Sequence, residues 1–387
     1  MKNFFKNYFL TFSILTLVVV YLGLNLFNAS RFHFPEISIR PTLQIKLSEK
    51  PTKEIPLWSG LSFKRVSDFS SRQLSTLGNL IRFQVFSDVR EDIIIGEKTP
   101  FKRMYLKEEV FFQYPLSKEW VQTHYLDLLT PFMDKIQKSG ATILSVAVPT
   151  KISIERRVIR KPLPPPYHPV LEHPSSDTSN LKENAALNYD LLAQGDSRIL
   201  ALYSALKNAQ ERNPEKNIFR PMDTHWSSLG IAFAAKAVLE RLAPQKSPMV
   251  ASLNRELPPN FEMDFFRLLG LNSTILSASK AYTYREPLYG IQADESDAPK
   301  PTKTGRLFLI GSSYSQVLQE TPYSFGKLLA KALGKQLIQE TDTGDKMARP
   351  ALKRLQEKNY KLNSNDVVIF EFPFRFPWSD SDPLPVF

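Results

Sequence analysis

The chain has 387 residues, 42% of them hydrophobic, which is enough for one large or two ordinary domains with a sizeable core. It contains no cysteine, so disulfides, thiol catalysis and thiolate metal sites are excluded; this is compatible with an exported protein. The 50 Lys and Arg against 39 Asp and Glu give a formal charge of +11, a balance suited to anionic lipid head groups or acidic glycans and equally to a solvated basic surface.

Residues Tyr8 to Phe27 are 20 consecutive uncharged and mostly apolar positions, the length of a transmembrane helix. Lys2, Lys6 and the amino terminus precede them, so the positive-inside rule puts the short tail in the cytoplasm and everything after Asn28 outside it. That placement removes nucleic acid as a partner and makes the inner membrane one, through residues 8–27, with the functional part in the periplasm or exterior. A cleaved signal peptide is the rival, but the apolar core is long for one and Leu26-Phe27-Asn28-Ala29-Ser30 is a poor small-residue cleavage site. The expected organisation is a tail and signal-anchor helix over 1–30, a tether over 31–56 with prolines at 35, 41, 51 and 56, and one domain over 57–387.

Within that domain Asp92-Ile93-Ile94-Ile95-Gly96 reads as a strand ending in a turn. Ser117 caps a helix expected from about 118 to 138, bent at Pro131 and ended by Gly140. Thr142 to Val148 is a β-rich, nearly continuous apolar run, a central strand closed by Pro149-Thr150-Lys151. Residues 160–188 begin with a Pro-rich stretch and read as a surface insertion. A helix is expected from about Asp196 to Glu211, and another from the Ser227-Ser228 cap to about Leu242; residues 245–303 give few firm elements. A strand at 306–310, a helix at 324–334, an edge-like strand near 336–340, a helix at 347–358 and a last strand over 367–372 follow. Strands alternating with helices indicate an α/β fold, a mostly parallel sheet flanked by helices.

The chemistry concentrates at two places. Leu307-Phe308-Leu309-Ile310 breaks at Gly311 and presents Ser312, Ser313 and Ser315, which offer a nucleophile or a plain helix cap. Asp223 and His225 stand two residues apart in a segment that precedes a helix cap, so in extended backbone their side chains point the same way. An acceptor on one ring nitrogen would fix the tautomer and leave the other nitrogen to take a serine proton; the bland alternative is a capping Asp beside a surface His. His33, His124, His168 and His173 show no ligand spacing around the pair, so neither metal nor cofactor is expected.

Asp223-Thr224-His225-Trp226-Ser227-Ser228-Leu229-Gly230, with the Ala-rich run after it, resembles the Asp-x-His-Trp signature of the periplasmic alginate O-acetyltransferase family, a branch of the SGNH hydrolase superfamily. Gly311-Ser312-Ser313-Tyr314-Ser315 is similar to that family's Gly-x-Ser-(Tyr/Phe)-Ser motif, and the order, Asp-x-His before the serine, agrees as well. Val148 to Lys151 and Phe370 to Arg375 are also similar to recurring segments there. The resemblance implies an SGNH-like fold with Ser313 as nucleophile, His225 as base and Asp223 as its orienter, and Ser312 as the fallback nucleophile. Backbone N–H groups at Ser313 and its neighbours, then Arg375, are the oxyanion candidates. Tyr314, Trp226 and Lys151 are further oxyanion or substrate-binding candidates. For Trp226, Arg375 and Lys151 the alternatives are core packing, a surface charge and a mere strand end. The implied substrate is a polysaccharide hydroxyl, and the implied acyl donor a multipass membrane O-acyltransferase. An acetylesterase of the same fold and a non-catalytic glycan-binding or assembly protein are the alternatives.

Overall fold

A computed structural model describes residues 93–98, 102–106, 109–110, 112, 114–155, 181–257, 285–292, 305–342, 348–375 and 383–387, with backbone alone for 93–98, 102–103 and 181–183. All of them fall in one compact unit made of Val89–Leu268 and Ser273–Phe387. The apolar run at 8–27, the tether and residues 156–180 lie outside the described residues. Among the described residues no helix is long and apolar enough to cross a membrane.

In chain order the strands are β1 (Ile93–Lys98), β2 (Lys102–Leu106), β3 (Thr142–Val148), β4 (Ile199–Ala201), β5 (Met249–Glu256), β6 (Pro287–Gln292), β7 (Arg306–Gly311), β8 (Gln336–Thr341) and β9 (Val367–Pro373). The helices are α1 (Lys118–Val121), α2 (Asp127–Lys138), α3 (Lys151–Glu155), α4 (Leu181–Gly195), α5 (Tyr203–Arg212), α6 (Ser228–Leu242), α7 (Ser313–Gln316), α8 (Phe325–Leu333) and α9 (Arg349–Glu357). Five strands form the central sheet in the order β4-β3-β9-β7-β8, and every neighbouring pair is parallel. The β9 strand, late in sequence, is therefore the middle of the sheet. All seven of its residues are buried, as are six of seven in β3, whereas the edge strand β8 is only partly covered. This is why 142–148 and 367–373 read as continuous apolar runs: both faces are packed, and each fully buried Val, Ile or Phe contributes about 1.5–3 kcal/mol. The exception in β9 is Glu371.

Sequence and structure part company at several elements. The β1 strand does not end at Gly96 but runs on to Lys98 and pairs antiparallel with β2, its register slipping between Ile95 and Lys98, the irregularity a glycine permits. The helix expected over 118–138 is present, but its irregular part is a wide π-type turn at Gln122–Leu126 rather than a bend at Pro131. Pro131 cannot bond the Asp127 carbonyl, and Asp127 is where the wide turn gives way to α geometry. The end of the expected 160–188 insertion is helical: α4 starts at Leu181, and Asn188 is fully buried, bonding the Leu116 N–H and the Phe112 and Tyr114 carbonyls. Residues 196–201, expected within a helix, hold instead a turn and the edge strand β4, because a three-residue apolar run fits either state until β3 offers a parallel partner. Within 245–303, β5 and β6 pair antiparallel. The remaining helices sit where the caps put them, with Ser227 opening α6 and Ser324 opening α8, which left-handed Gly334 (φ 66°) closes.

Candidate active site

Because the sheet is parallel, the carboxyl ends of β3, β9 and β7 lie side by side along one edge, the place where α/β sheets bind ligands. The β7 strand stops at Gly311. A Cβ there would lie 2.4 Å from Ser315 Oγ and 2.8 Å from Glu371, so only glycine lets the chain turn this tightly. Ser312 follows in extended backbone as the cap of α7, its hydroxyl accepting the Tyr314 N–H at 3.2 Å, and Ser313 is the first helical residue.

Beneath this turn sits Glu371, wholly buried. Its carboxylate accepts the Ser312 N–H at 2.9 Å, the Ser312 hydroxyl at 2.8 and 3.1 Å and the Ser315 hydroxyl at 2.8 Å. Burial raises its pKa, with the serine hydrogen bonds pulling the other way. Ser312, the fallback nucleophile, is thus committed to Glu371 and to the cap, and is not the serine that meets the histidine. Sequence reasoning did not single out Glu371 itself; the signal was present as a lone acid in the apolar run Val367–Phe372, a position that costs free energy unless polar partners meet it.

The histidine comes from the loop between α5 and α6. Its neck is closed by a bridge between Phe219 and Trp226, by Arg220 N–H to His225 O at 3.0 Å and by Ser227 N–H to Ile218 O at 2.8 Å. Asp223 Oδ1 receives both the His225 backbone N–H, at 3.0 Å, and Nδ1, at 2.6 Å. A carboxylate only accepts, so Nδ1 carries the proton and Nε2 is left as an acceptor, 2.8 Å from Ser313 Oγ. The side chain of Asp223 is 4% exposed and that of His225 12%, so the pair is shielded while the ring keeps an opening to solvent.

Lys151 is neither a strand end nor a substrate ligand. It is fully buried at the start of α3, and its ammonium donates to three carbonyls of the histidine loop, those of Arg220 (2.6 Å), Pro221 (2.7 Å) and Asp223 (3.0 Å). All three N–H bonds of a lysine are thereby used to pin the loop to the end of β3. Lys151→Met should therefore lower stability by about 2–4 kcal/mol in urea titration, since buried carbonyls lose their donors, and reduce turnover far more than it changes substrate affinity. An unchanged rate in a less stable protein would contradict this positioning role.

Trp226 is also fully buried and cannot support a sugar ring. It donates from Nε1 to the Tyr314 carbonyl at 2.9 Å and packs edge-on to the Tyr314 ring at 5.5 Å, tying the histidine loop to the serine turn. Tyr314 is buried too, its hydroxyl donating to Thr224 O at 2.9 Å and its ring 5.0 Å from that of His225, while burial raises its pKa. Arg375 is not a surface charge. It is 7% exposed, pairs with buried Glu109 at 3.3 Å and lies over the Tyr314 ring at 5.5 Å. Of the residues expected at the site, Asp223, His225 and Ser313 are brought together; Ser312, Tyr314, Trp226 and Lys151 support them from behind, and Arg375 lies over the face of Tyr314 while pairing with Glu109. Among the described residues no cluster of His, Asp and Glu could hold a metal ion.

Residues 104–374 match the family described as the SGNH hydrolase-like domain of the acetyltransferase AlgX, and the chain belongs to that family, among the SGNH-type acetyltransferases and esterases. Its relatives include the probable alginate O-acetylase AlgJ of Pseudomonas putida, 23% identical over 320 residues, 80% of this chain and 77% of that protein. The probable alginate O-acetylase AlgJ of Pseudomonas syringae pv. tomato is 24% identical over 324 residues, 80% of this chain and 75% of that protein. Among solved structures the O-acetyltransferase domain of Pseudomonas putida AlgJ covers 75% of this chain and 94% of its own, with 21% identity and a TM-score of 0.49.

Proposed function

We propose that the chain is a membrane-anchored O-acyltransferase, acetyl being the expected group, acting on hydroxyls of a cell-envelope or exported polysaccharide through an acyl-serine on Ser313. The observation that carries this reading is the unbroken hydrogen-bonded line from Asp223 through His225 to Ser313, at 2.6 and 2.8 Å. In it Ser313 Oγ gives its proton to His225 Nε2 and attacks the acyl carbonyl. The imidazolium, stabilised by Asp223, then returns the proton to the leaving group. In the second half a sugar hydroxyl gives its proton to Nε2 and takes the acyl group, and the imidazolium passes that proton to the departing Ser313 Oγ, which restores the free serine. The Ser312 and Tyr314 N–H groups are taken by Glu371 and the Ser312 hydroxyl, which leaves that of Ser313, at the start of its helix, as the nearest donor for the oxyanion.

The anchor is residues 8–27, which would hold the domain at the periplasmic face of the inner membrane, within reach of a multipass O-acyltransferase as donor. The relatives' names point to alginate, and a basic chain suits an acidic polymer.

The test is intact-protein mass spectrometry of the purified chain after exposure to an activated acetyl ester. An acetyl adduct is expected on the wild type and on neither Ser313→Ala nor His225→Ala. Faster loss of the adduct when alginate oligosaccharides are added supports transfer, whereas equal loss with and without sugar makes the protein an esterase. A folded wild type that takes no acetyl from several donors would leave a glycan-binding or assembly protein as the better reading.

A further inference from the structure

A second carboxylate closes the histidine loop, and no step of the chemistry uses it. Glu286, 4% exposed where the chain enters β6, accepts the Arg220 Nε–H through Oε2 at 2.7 Å and the Ser228 N–H through Oε1. It therefore holds the first residue of the loop and the first residue of the helix that follows it. Its own position is fixed, since its carbonyl accepts the Leu257 N–H at 2.9 Å and Tyr289 N–H bonds Ser228 Oγ at 2.9 Å.

Arg220 stands between two carboxylates. Its Nη1 is 3.9 Å from Asp223 Oδ2, too far for a hydrogen bond, while Nε is in full contact with Glu286. Asp223 meets His225 through the other oxygen, Oδ1. We infer that Arg220 and Glu286 are positioning residues: Glu286 holds the guanidinium off Asp223, so that Asp223 stays oriented by a nearby positive charge yet is not captured by it and remains committed to His225. A guanidinium free to close on Asp223 would form a bidentate pair, the strongest partner a carboxylate finds among side chains, and the imidazolium would lose that support. The inference rests on the reading of His225 as the base.

The sign of the effect separates this role from a structural one. Releasing Arg220 from Glu286 brings positive charge toward the His225 site and lowers the pH at which the ring titrates; removing Arg220 leaves two unrelieved carboxylates and raises it. Among the described residues, the other charged and titratable groups at the site are Asp223 on its own loop, Lys151 on α3, bonded to the Asp223 carbonyl, Tyr314 on α7, whose ring meets that of His225, and, interacting with Tyr314, Glu371 on β9, Arg375 after it and Glu109 before α1. None of these is altered in the test.

The experiment is an NMR titration of the His225 ring in the full chain, assigned with His225→Ala, for the wild type, Glu286→Gln, Arg220→Gln and the double variant. Glu286→Gln is expected to lower the midpoint and Arg220→Gln to raise it, each by roughly one pH unit, a tenfold change in proton affinity, with the double variant back near the wild type. Midpoints that do not move, or move together in one direction, would overturn the inference. Glu286→Gln keeps the acceptor for Ser228 and carries the test alone should Arg220→Gln not fold. Acetylation of Ser313 is measured on the same samples. Opposed shifts without acetylation would count against the catalytic reading, and acetylation without the shifts against the pair.

Discussion

Replacing Ser313 by Ala is expected to lower acyl transfer by about 10⁴-fold or more, and His225→Ala by a similar factor, with the double variant no worse than either alone, because the two act as one unit. Asp223→Asn should behave differently from the usual loss of a triad carboxylate. There the amide can turn its NH₂ toward the ring and force the wrong tautomer. Here Asp223 Oδ1 takes the His225 backbone N–H as well as Nδ1, so the amide oxygen is held at that corner and the NH₂ is turned toward Arg220. The tautomer survives and only the charge is lost, which sets the expected decrease nearer 10²-fold, on the order of 3 kcal/mol. Single-turnover rates with an activated acetyl ester measure it; a fall for Asp223→Asn as deep as that for His225→Ala would show that the backbone N–H does not hold the amide.

The second large effect belongs to Glu371. Truncation to Ala removes the acceptor for one buried N–H and two hydroxyls and leaves a hole beneath the serine turn, an expected loss of about 3–5 kcal/mol together with most of the activity. Gln can replace it in part. Its oxygen, placed at Oε2, accepts the Ser312 N–H and the Ser315 hydroxyl, while its NH₂ donates to Ser312 Oγ, which has only to turn its own proton away. Gln also separates shape from charge. Burial raises the Glu371 pKa above its ordinary 4.5, so the native chain binds that proton more tightly than the unfolded one. The stabilisation this provides is complete below the unfolded pKa and is lost as pH rises through the folded one. The advantage of the wild type over Glu371→Gln in urea titration should therefore be greatest in acid and shrink toward neutral pH. An advantage that grows with pH would mean that the carboxylate is ionised and held by its donors.

The hydrogen-bonded line of Asp223, His225 and Ser313 was legible because its parts are local. Asp223 and His225 share a three-residue segment, and the serine follows an apolar strand broken at a glycine, so residue types and spacing sufficed, and the family resemblance chose among the serines. The buried charges behind that line were not legible as supports, because Lys151, Glu286 and Glu371 lie 72, 63 and 148 residues from Asp223, farther than any local pattern reaches. Each is a charged residue whose burial depends on tertiary contact. Lys151 follows a central strand and reads as an oxyanion or substrate-binding candidate or a mere strand end; only the fold shows three carbonyls around it. Trp226 shows the converse, since a tryptophan beside a candidate base suggests a ligand platform, and the packing of Tyr314 and Phe325 puts it in the core. The β4 strand was missed for a related reason: three residues carry no period.

The central place of β9 also decides when the site can assemble. Without that strand the sheet is two separate pieces, β4-β3 and β7-β8, which share no ladder. The first piece carries Lys151, which fixes the histidine loop; the second carries Ser313; and Glu371, which shapes the serine turn, arrives on β9 itself. The pairing of β3 with β9 joins Thr142 to Val367, a closure of long range and correspondingly slow. A chain still being made would hold Asp223, His225 and Ser313 without the means of bringing them together, and on the proposed reading would not take an acyl group until its last strand slots home.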